Sequence, residues 1–338
     1  MKILFVDSGM SSFETRYAYA IEDTFKNDFR CQVRHINPFH LTHQIIDQFK
    51  PDLVLVIHGT FTALDLIHYA KSRGTTTVLW LVEDPYEIDS HRGPMVAAYD
   101  FVFTTERQAV TEYNHSRVFY LPWCCNPRIN RHIMPPPAYH SDICMVGVGF
   151  PNRVRILNTI APALTGLKVK LIGNWGEQLV PQLRKCVIST ISDFWEIQKY
   201  YCGAKINLNI HRDPVNPPSG NSKQVSGTSP NDRTFALAGS GAFQLVDNTR
   251  PDIWNCFVEN REMVSFTDPH DLIGKIQKYL GNSNLRQAIC QAGQKKAYGQ
   301  HTFKHRFAEI FRLIGTPLPL KYRIIQDSYR TSKGTASF

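Results

Sequence analysis

Arg233 opens the stretch richest in candidate chemistry: Asn231-Asp232-Arg233-Thr234-Phe235-Ala236-Leu237-Ala238-Gly239-Ser240-Gly241-Ala242-Phe243-Gln244-Leu245-Val246-Asp247. Small and apolar residues run from Thr234 to Ala238, Gly239-Ser240-Gly241 breaks them, and a short apolar run ends at Asp247. The pattern predicts a loop, one or two helical turns, a glycine turn and a buried strand. Small residues at a helix start let a ligand approach free backbone N–H groups, and those groups with the helix dipole attract phosphate. Arg233 adds a cation whose planar fork suits a diphosphate, with Asn231, Thr234 and Gly241 as neighbouring contacts. The same residues also fit an ordinary helix–turn–strand unit of a parallel sheet, and residue types alone leave both readings open.

Other candidates follow strand-like runs. Gly147-Val148-Gly149 succeeds Ile143–Val146, and Arg153 lies four residues on, so backbone N–H groups plus a guanidinium would suit a diphosphate. Arg212 follows the alternating run Ala204–Ile210 and is the third candidate cation. Trp175 either stacks on a nucleobase or plugs the core. Glu83-Asp84-Pro85-Tyr86-Glu87-Ile88-Asp89 places four acids in seven residues after the run Thr76–Val82. This is either a solvated loop or the source of a general base for an acceptor hydroxyl, and Asp84 beside Pro85 is the candidate, with His58 behind it. No Asp-x-Asp pair and no His-rich ligand spacing occurs, so no metal is expected at the diphosphate, and the arginines and backbone N–H groups must carry its charge.

The elements that would hold these residues form two similar halves. Lys2–Val6, a Gly/Ser turn and a helical pattern over Phe13–Phe25 begin a doubly wound half without the Gly-x-Gly-x-x-Gly fingerprint. In that turn Ser11 and Ser12 are candidates for a helix cap or an acceptor or phosphate contact. Leu53–Ile57 reads as a central parallel strand with His58 at its end. Five prolines between Pro122 and Asp142 mark a linker, after which a strand–glycine loop–helix plan recurs. The expected division is 1–121 for a first domain, 122–142 for the linker, 143–315 for a second domain and 316–338 for a tail. The polar run Pro214–Pro230 is either a lid over the phosphate site or a surface insertion.

A length of 338 residues suits two domains, and 43% hydrophobic with 20% charged residues is globular. The net charge of +9 favours an anionic partner, but the basic residues are spread out, so nucleic-acid binding is not expected. Eight scattered cysteines without a Cys-x-x-Cys pair fit reduced thiols in a cytoplasmic protein, and no run approaches the length of a membrane span.

Arg-Thr-Phe-x-x-x-x-Ser-Gly-Ala-Phe-x-Leu-x-Asp resembles the C-terminal signature of CgeB/YkvP-type spore-protein glycosyltransferases. The resemblance continues through Phe266–Leu272, through Arg286, Ala288 and Gly293, and through His301–Arg306, with weaker matches back to the first strand. It implies the GT-B fold, an α/β architecture of two Rossmann-like doubly wound domains facing a cleft, with 1–121 as the acceptor domain, 143–315 as the donor domain and the tail 316–338 crossing back to the first. It further implies a glycosyltransferase of the hexosyltransferase type, with a nucleotide-diphosphate-sugar as substrate, UDP- or TDP-linked, and no separate cofactor. The acceptor would be a hydroxyl on a glycan, protein or small molecule. It points to the same Val-Gly and Arg153, and a similar Asp-Asp-Pro-Tyr loop recurs in the family. The chain departs from the family at Ala236, where a glutamate usually follows Arg-x-Phe, and at Gln244, where related sugar transferases often place a second. A binding or structural protein with a degenerate site, or an epimerase or hydrolase on the same fold, therefore stands as the alternative. A glycoside hydrolase would need paired carboxylates, which only the Glu83–Asp89 loop offers.

Overall fold

The computed structural model describes residues 1–10, 17–191, 193–215 and 220–316. Ser11, Ser12, part of the polar run 214–230 and the expected tail beyond Thr316 lie outside the described residues.

Two six-stranded, all-parallel sheets make up the architecture. The first holds β1 (Lys2–Val6), β2 (Gln32–Ile36), β3 (Leu53–Ile57), β4 (Thr76–Leu81), β5 (Phe101–Thr104) and β6 (Val118–Tyr120), in the order β2-β1-β3-β4-β5-β6. The second holds β7 (Ser141–Val146), β8 (Val169–Ile172), β9 (Val187–Ile188), β10 (Ala204–Asn209), β11 (Gln244–Asp247) and β12 (Val264–Phe266), in the order β12-β11-β10-β7-β8-β9. Every residue of β3 is buried, as the apolar run Leu-Val-Leu-Val-Ile requires of a strand covered on both faces. In the second sheet the strand order reverses between β7 and β10. Ligands of open parallel sheets gather beyond the C-terminal ends at such a reversal. Gly147 follows β7 and Arg212 follows β10, so the sheet itself brings these two loops together.

The stretch 122–142 differs from its expectation as a plain linker. Trp123, Cys124, Cys125 and Ile129 are buried in the core of the first half. The Cys125 N–H donates to His301 O at 2.9 Å and the Phe303 N–H to Cys125 O at 3.1 Å. Arg306, wholly buried, donates from Nε to Pro122 O at 2.7 Å and from Nη2 to Trp123 O at 2.8 Å. Prolines lack an N–H, so this segment carries fewer backbone donors into the interior, and Arg306 satisfies its carbonyls. The helix Phe303–Leu313 supplies Arg306 and stacks Phe307 on Phe25 with ring centroids 4.0 Å apart. The chain thus returns to the first half at Phe303, earlier than the proline-marked tail suggests. All eight cysteines are unpaired, and among the described residues no helix is long and apolar enough to cross a membrane.

Candidate active site

A cleft of about 320 Å³ lies between the C-terminal ends of the two sheets. The first half contributes Glu83, Tyr86 and Glu106; the second contributes Gly147, Arg153, Arg212, Asn231, Asp232, Arg233 and Arg250. Its most telling feature is a pair of like charges. A Cβ built on Gly147 would stand 2.8 Å from Arg233 Nη2 and 3.2 Å from Arg153 Nη1, so the two guanidiniums converge over a residue that must have no side chain. Both arginines are more than nine-tenths buried. Arg153 donates from Nε to Ile210 O at 2.8 Å and from Nη1 to Val148 O at 3.0 Å; Arg233 reaches Asn209 Oδ1 at 3.4 Å. Neither has an ion pair among the described residues. Burial first, and the neighbouring Arg233 second, push the Arg153 guanidinium down to about 9. Two buried, converging cations held by neutral oxygens form a site for a polyanion.

Two further arginines frame the pair. The Arg212 guanidinium lies between the rings of Tyr86 and Phe150, with its central carbon 4.6 Å and 4.5 Å from their centroids, and so bridges the two halves. Arg250, absent from the sequence-derived candidates, donates to Gly227 O at 2.7 Å and to Arg212 O at 2.6 Å. No motif marks it, because its place in the cleft is set by the loop after β11. His211 fixes the neighbouring backbone. Its Nδ1 lies 3.0 Å from Asp247 Oδ2, and its Nε2 accepts from the Asn231 N–H at 3.2 Å.

Several expected contacts are spent on structure. The N–H of Gly147 donates to Ile172 O and that of Gly149 to Asn174 O, so neither is free for phosphate. Gly149 also lies where a Cβ would meet the Trp175 backbone at 2.7 Å. Trp175 is buried in the second core and cannot stack on a base at the cleft. Asn231 caps the helix Asp232–Gly239: its Oδ1 accepts from both the N–H and the hydroxyl of Thr234, each at 2.9 Å. Thr234 is completely buried and offers a ligand nothing. Gly241 lies beyond the far end of that helix, in a separate pocket that includes His140 and Arg286. The helix N-terminus is further occupied by the Asp232 carboxylate, which accepts from the Tyr17 hydroxyl. The anion site therefore rests on the guanidiniums more than on the helix end.

The acids are also redistributed. Asp84, the expected base, has a wholly buried carboxylate. It accepts from Thr104 Oγ1 at 2.6 Å, Tyr113 Oη at 2.7 Å and His91 Nδ1 at 2.9 Å, so its carboxylate is saturated although the residue borders the cleft. His58 is 1% exposed and does not line the cleft. Glu83 lines the same cleft without being saturated in this way. It is partly accessible, yet burial raises its carboxyl to about 8, with Glu87 and Asp232 adding to the rise and Arg212 opposing it. The four-acid loop does border the cleft, but the hydrogen bonds that saturate Asp84 leave Glu83 as its accessible acid there. Gln244 does not replace a donor-binding acid, since it bridges Thr234 O and Asn209 Nδ2 at 3.0 Å each in the core. The polar run is docked on the first half where it is described: Ser222 bonds Asp89, and the N–H groups of Thr228 and Ser229 donate to Glu106.

Residues 153–312 match the family model described as glycosyl transferase-like. The chain is also 26% identical to spore protein CgeB of Bacillus subtilis over 311 residues, spanning 90% of this chain and 95% of that protein. The chain is CgeB-like. Among solved structures it resembles an alpha-glucosyltransferase in complex with UDP-glucose and DNA containing an abasic site, at a TM-score of 0.64 and 11% identity, over 93% of this chain and 99% of that one. It also resembles sucrose-phosphate synthase from Thermosynechococcus elongatus, at a TM-score of 0.59 and 9% identity, over 93% and 98%. HepE from Anabaena in complex with UDP and glucose gives a TM-score of 0.59 at 10% identity, over 93% and 99%. Together with the two parallel sheets, these likenesses establish the GT-B fold.

Proposed function

We propose that this protein transfers a hexosyl group from a nucleotide-diphosphate-sugar to a hydroxyl acceptor. The converging pair Arg153 and Arg233 carries the reading, because neither guanidinium has a close ion pair among the described residues and a diphosphate would supply one to both. In the reaction, the acceptor oxygen attacks the anomeric carbon while the anomeric C–O bond to the diphosphate breaks. The bond's electron pair leaves with the diphosphate, where Arg153, Arg233 and Arg212 stabilise it. Glu83 takes the acceptor proton as general base, at the first-half side of the cleft. A UDP- or TDP-linked donor fits the proposal, and no metal need bridge the diphosphate. Arg233→Ala should weaken nucleotide-diphosphate binding by about 1.5–3 kcal/mol, the worth of charge-assisted bonds, measured by calorimetry. Unchanged affinity would remove Arg233 from the site and overturn the assignment.

A second reading, a nucleotide-sugar-binding protein without transfer, is favoured by Ala236 and by the structural use of Gln244. Donor binding with no glycosylated product and no free sugar across an acceptor panel would support it. Release of free or epimerised sugar would indicate hydrolysis or epimerisation instead.

A further inference from the structure

Three side chains beside the cleft make up a different kind of site. One ligand atom each from His58, Glu87 and His91 lie within 4.8 Å of one another. The tautomers follow from their partners. Asp84 is acceptor-only when ionised and already receives the Thr104 and Tyr113 hydroxyls, so the His91 Nδ1 that meets it at 2.9 Å carries the proton. That leaves His91 Nε2 a bare lone pair, buried and without a partner. His58 faces Glu87 Oε2 through Nε2 at 3.0 Å, and its Nδ1 is likewise buried and unpartnered. Both rings are at least 99% buried, and they meet edge to face with centroids 5.2 Å apart. A buried acceptor without a donor is costly, and the bare His91 Nε2 near the Glu87 carboxylate and the His58 Nε2 that faces it makes a pocket that lacks a cation.

We infer that His58, Glu87 and His91 form a binding site for a divalent transition-metal ion of the zinc class. Two imidazoles and one carboxylate suit zinc better than magnesium or calcium, which take oxygen ligands. A tetrahedral ion about 2.0–2.1 Å from each donor separates donors by about 3.3–3.5 Å, so atoms lying within 4.8 Å of one another must close by up to about 1.5 Å. Glu87, whose side chain is 41% exposed, has the freedom to make that movement and leaves a fourth position for water. Asp84 completes the arrangement. A carboxylate that holds the far nitrogen of a ligating histidine fixes its tautomer and raises its basicity, which explains why this acid is buried under four side-chain hydrogen bonds.

None of the three lines the nucleotide cleft, so this site is separate from the diphosphate and compatible with metal-free handling of the leaving group. Its ligands nonetheless bracket the Glu83–Asp89 turn that carries Glu83. The ion would tie the end of β3 to that turn and hold Glu83 at the cleft.

The test is metal binding, independent of any transferase activity. The full chain is stripped with chelator, desalted and titrated with Zn²⁺ by calorimetry, and separately with Co²⁺ followed by visible absorption. One equivalent of each should bind, with intense four-coordinate cobalt bands. Glu87→Ala and His91→Ala should abolish those bands, and Asp84→Asn should lower Zn²⁺ affinity about 10–100-fold. Glu87 is half-exposed, so its variant should keep the wild-type circular dichroism and report on binding even where a buried histidine variant misfolds. No stoichiometric binding by the wild type, or unchanged binding in the folded Glu87→Ala protein, would overturn the site.

Discussion

Replacing Glu83 with glutamine removes the charge while keeping the shape of the accessible acid that the four-acid loop places at the cleft. Its carboxyl is raised from 4.5 to about 8, a displacement of about 3.5 pH units that corresponds to about 5 kcal/mol against ionisation. At pH 7 roughly a tenth of the molecules then carry the base, and at pH 9 about nine-tenths do. The kcat/KM of the wild type should therefore rise severalfold from pH 7 and level off before pH 9, as Glu83 ionises and Arg153 begins to lose its proton. Glu83→Gln should lose about a hundredfold or more in turnover, lose the acid limb, and bind nucleotide diphosphate with little change. Stability supplies a second readout. The folded carboxyl binds its proton more tightly than the unfolded one, so its contribution is full below about 4.5 and is lost progressively up to about 8. Above pH 8 the glutamine variant should be the more stable, by about 1–3 kcal/mol once water in the partly open cleft is allowed for. Turnover near wild type, or a flat profile from pH 6 to 9, would refute Glu83 as the base.

Burial and Arg233 lower the Arg153 guanidinium, so nucleotide affinity should weaken gradually toward the alkaline end of a calorimetric series across pH 7–10. Nucleotide-diphosphate affinity should be the same in Mg²⁺, in Mn²⁺ and in chelator; a large gain with either ion would mean that metal shares the diphosphate with the arginines. Arg306→Leu should destabilise the protein by about 3–5 kcal/mol in denaturant unfolding, because Pro122 O and Trp123 O would lose charged donors inside the core.

Much of this protein is legible from its residues in order. The apolar runs that become β1, β3, β4 and β7 are continuous because both faces of a parallel sheet are covered, and their recurrence after the proline-rich stretch announces two doubly wound halves. Arg153, Arg212 and Arg233 are legible as well, because each follows a strand in a loop or opens a helix there, where such sheets bind ligands. What the order cannot convey is direction and pairing at a distance. Whether Glu83 or Asp84 keeps a carboxylate available at the cleft depends on Thr104 and Tyr113, which reach Asp84 from about 20 and 29 residues away. The glycines after β7 look like phosphate cradles, but the adjacent strand claims their N–H groups and leaves Gly147 the role of making room for two guanidiniums. His58 and Glu87 are 29 residues apart and meet only because β3 and β4 are neighbours. The proline-rich stretch reads as a linker until Arg306, some 184 residues downstream, closes on its carbonyls. Local periodicity sets the strands and helices; hydrogen bonds between distant segments decide which polar groups remain available for chemistry.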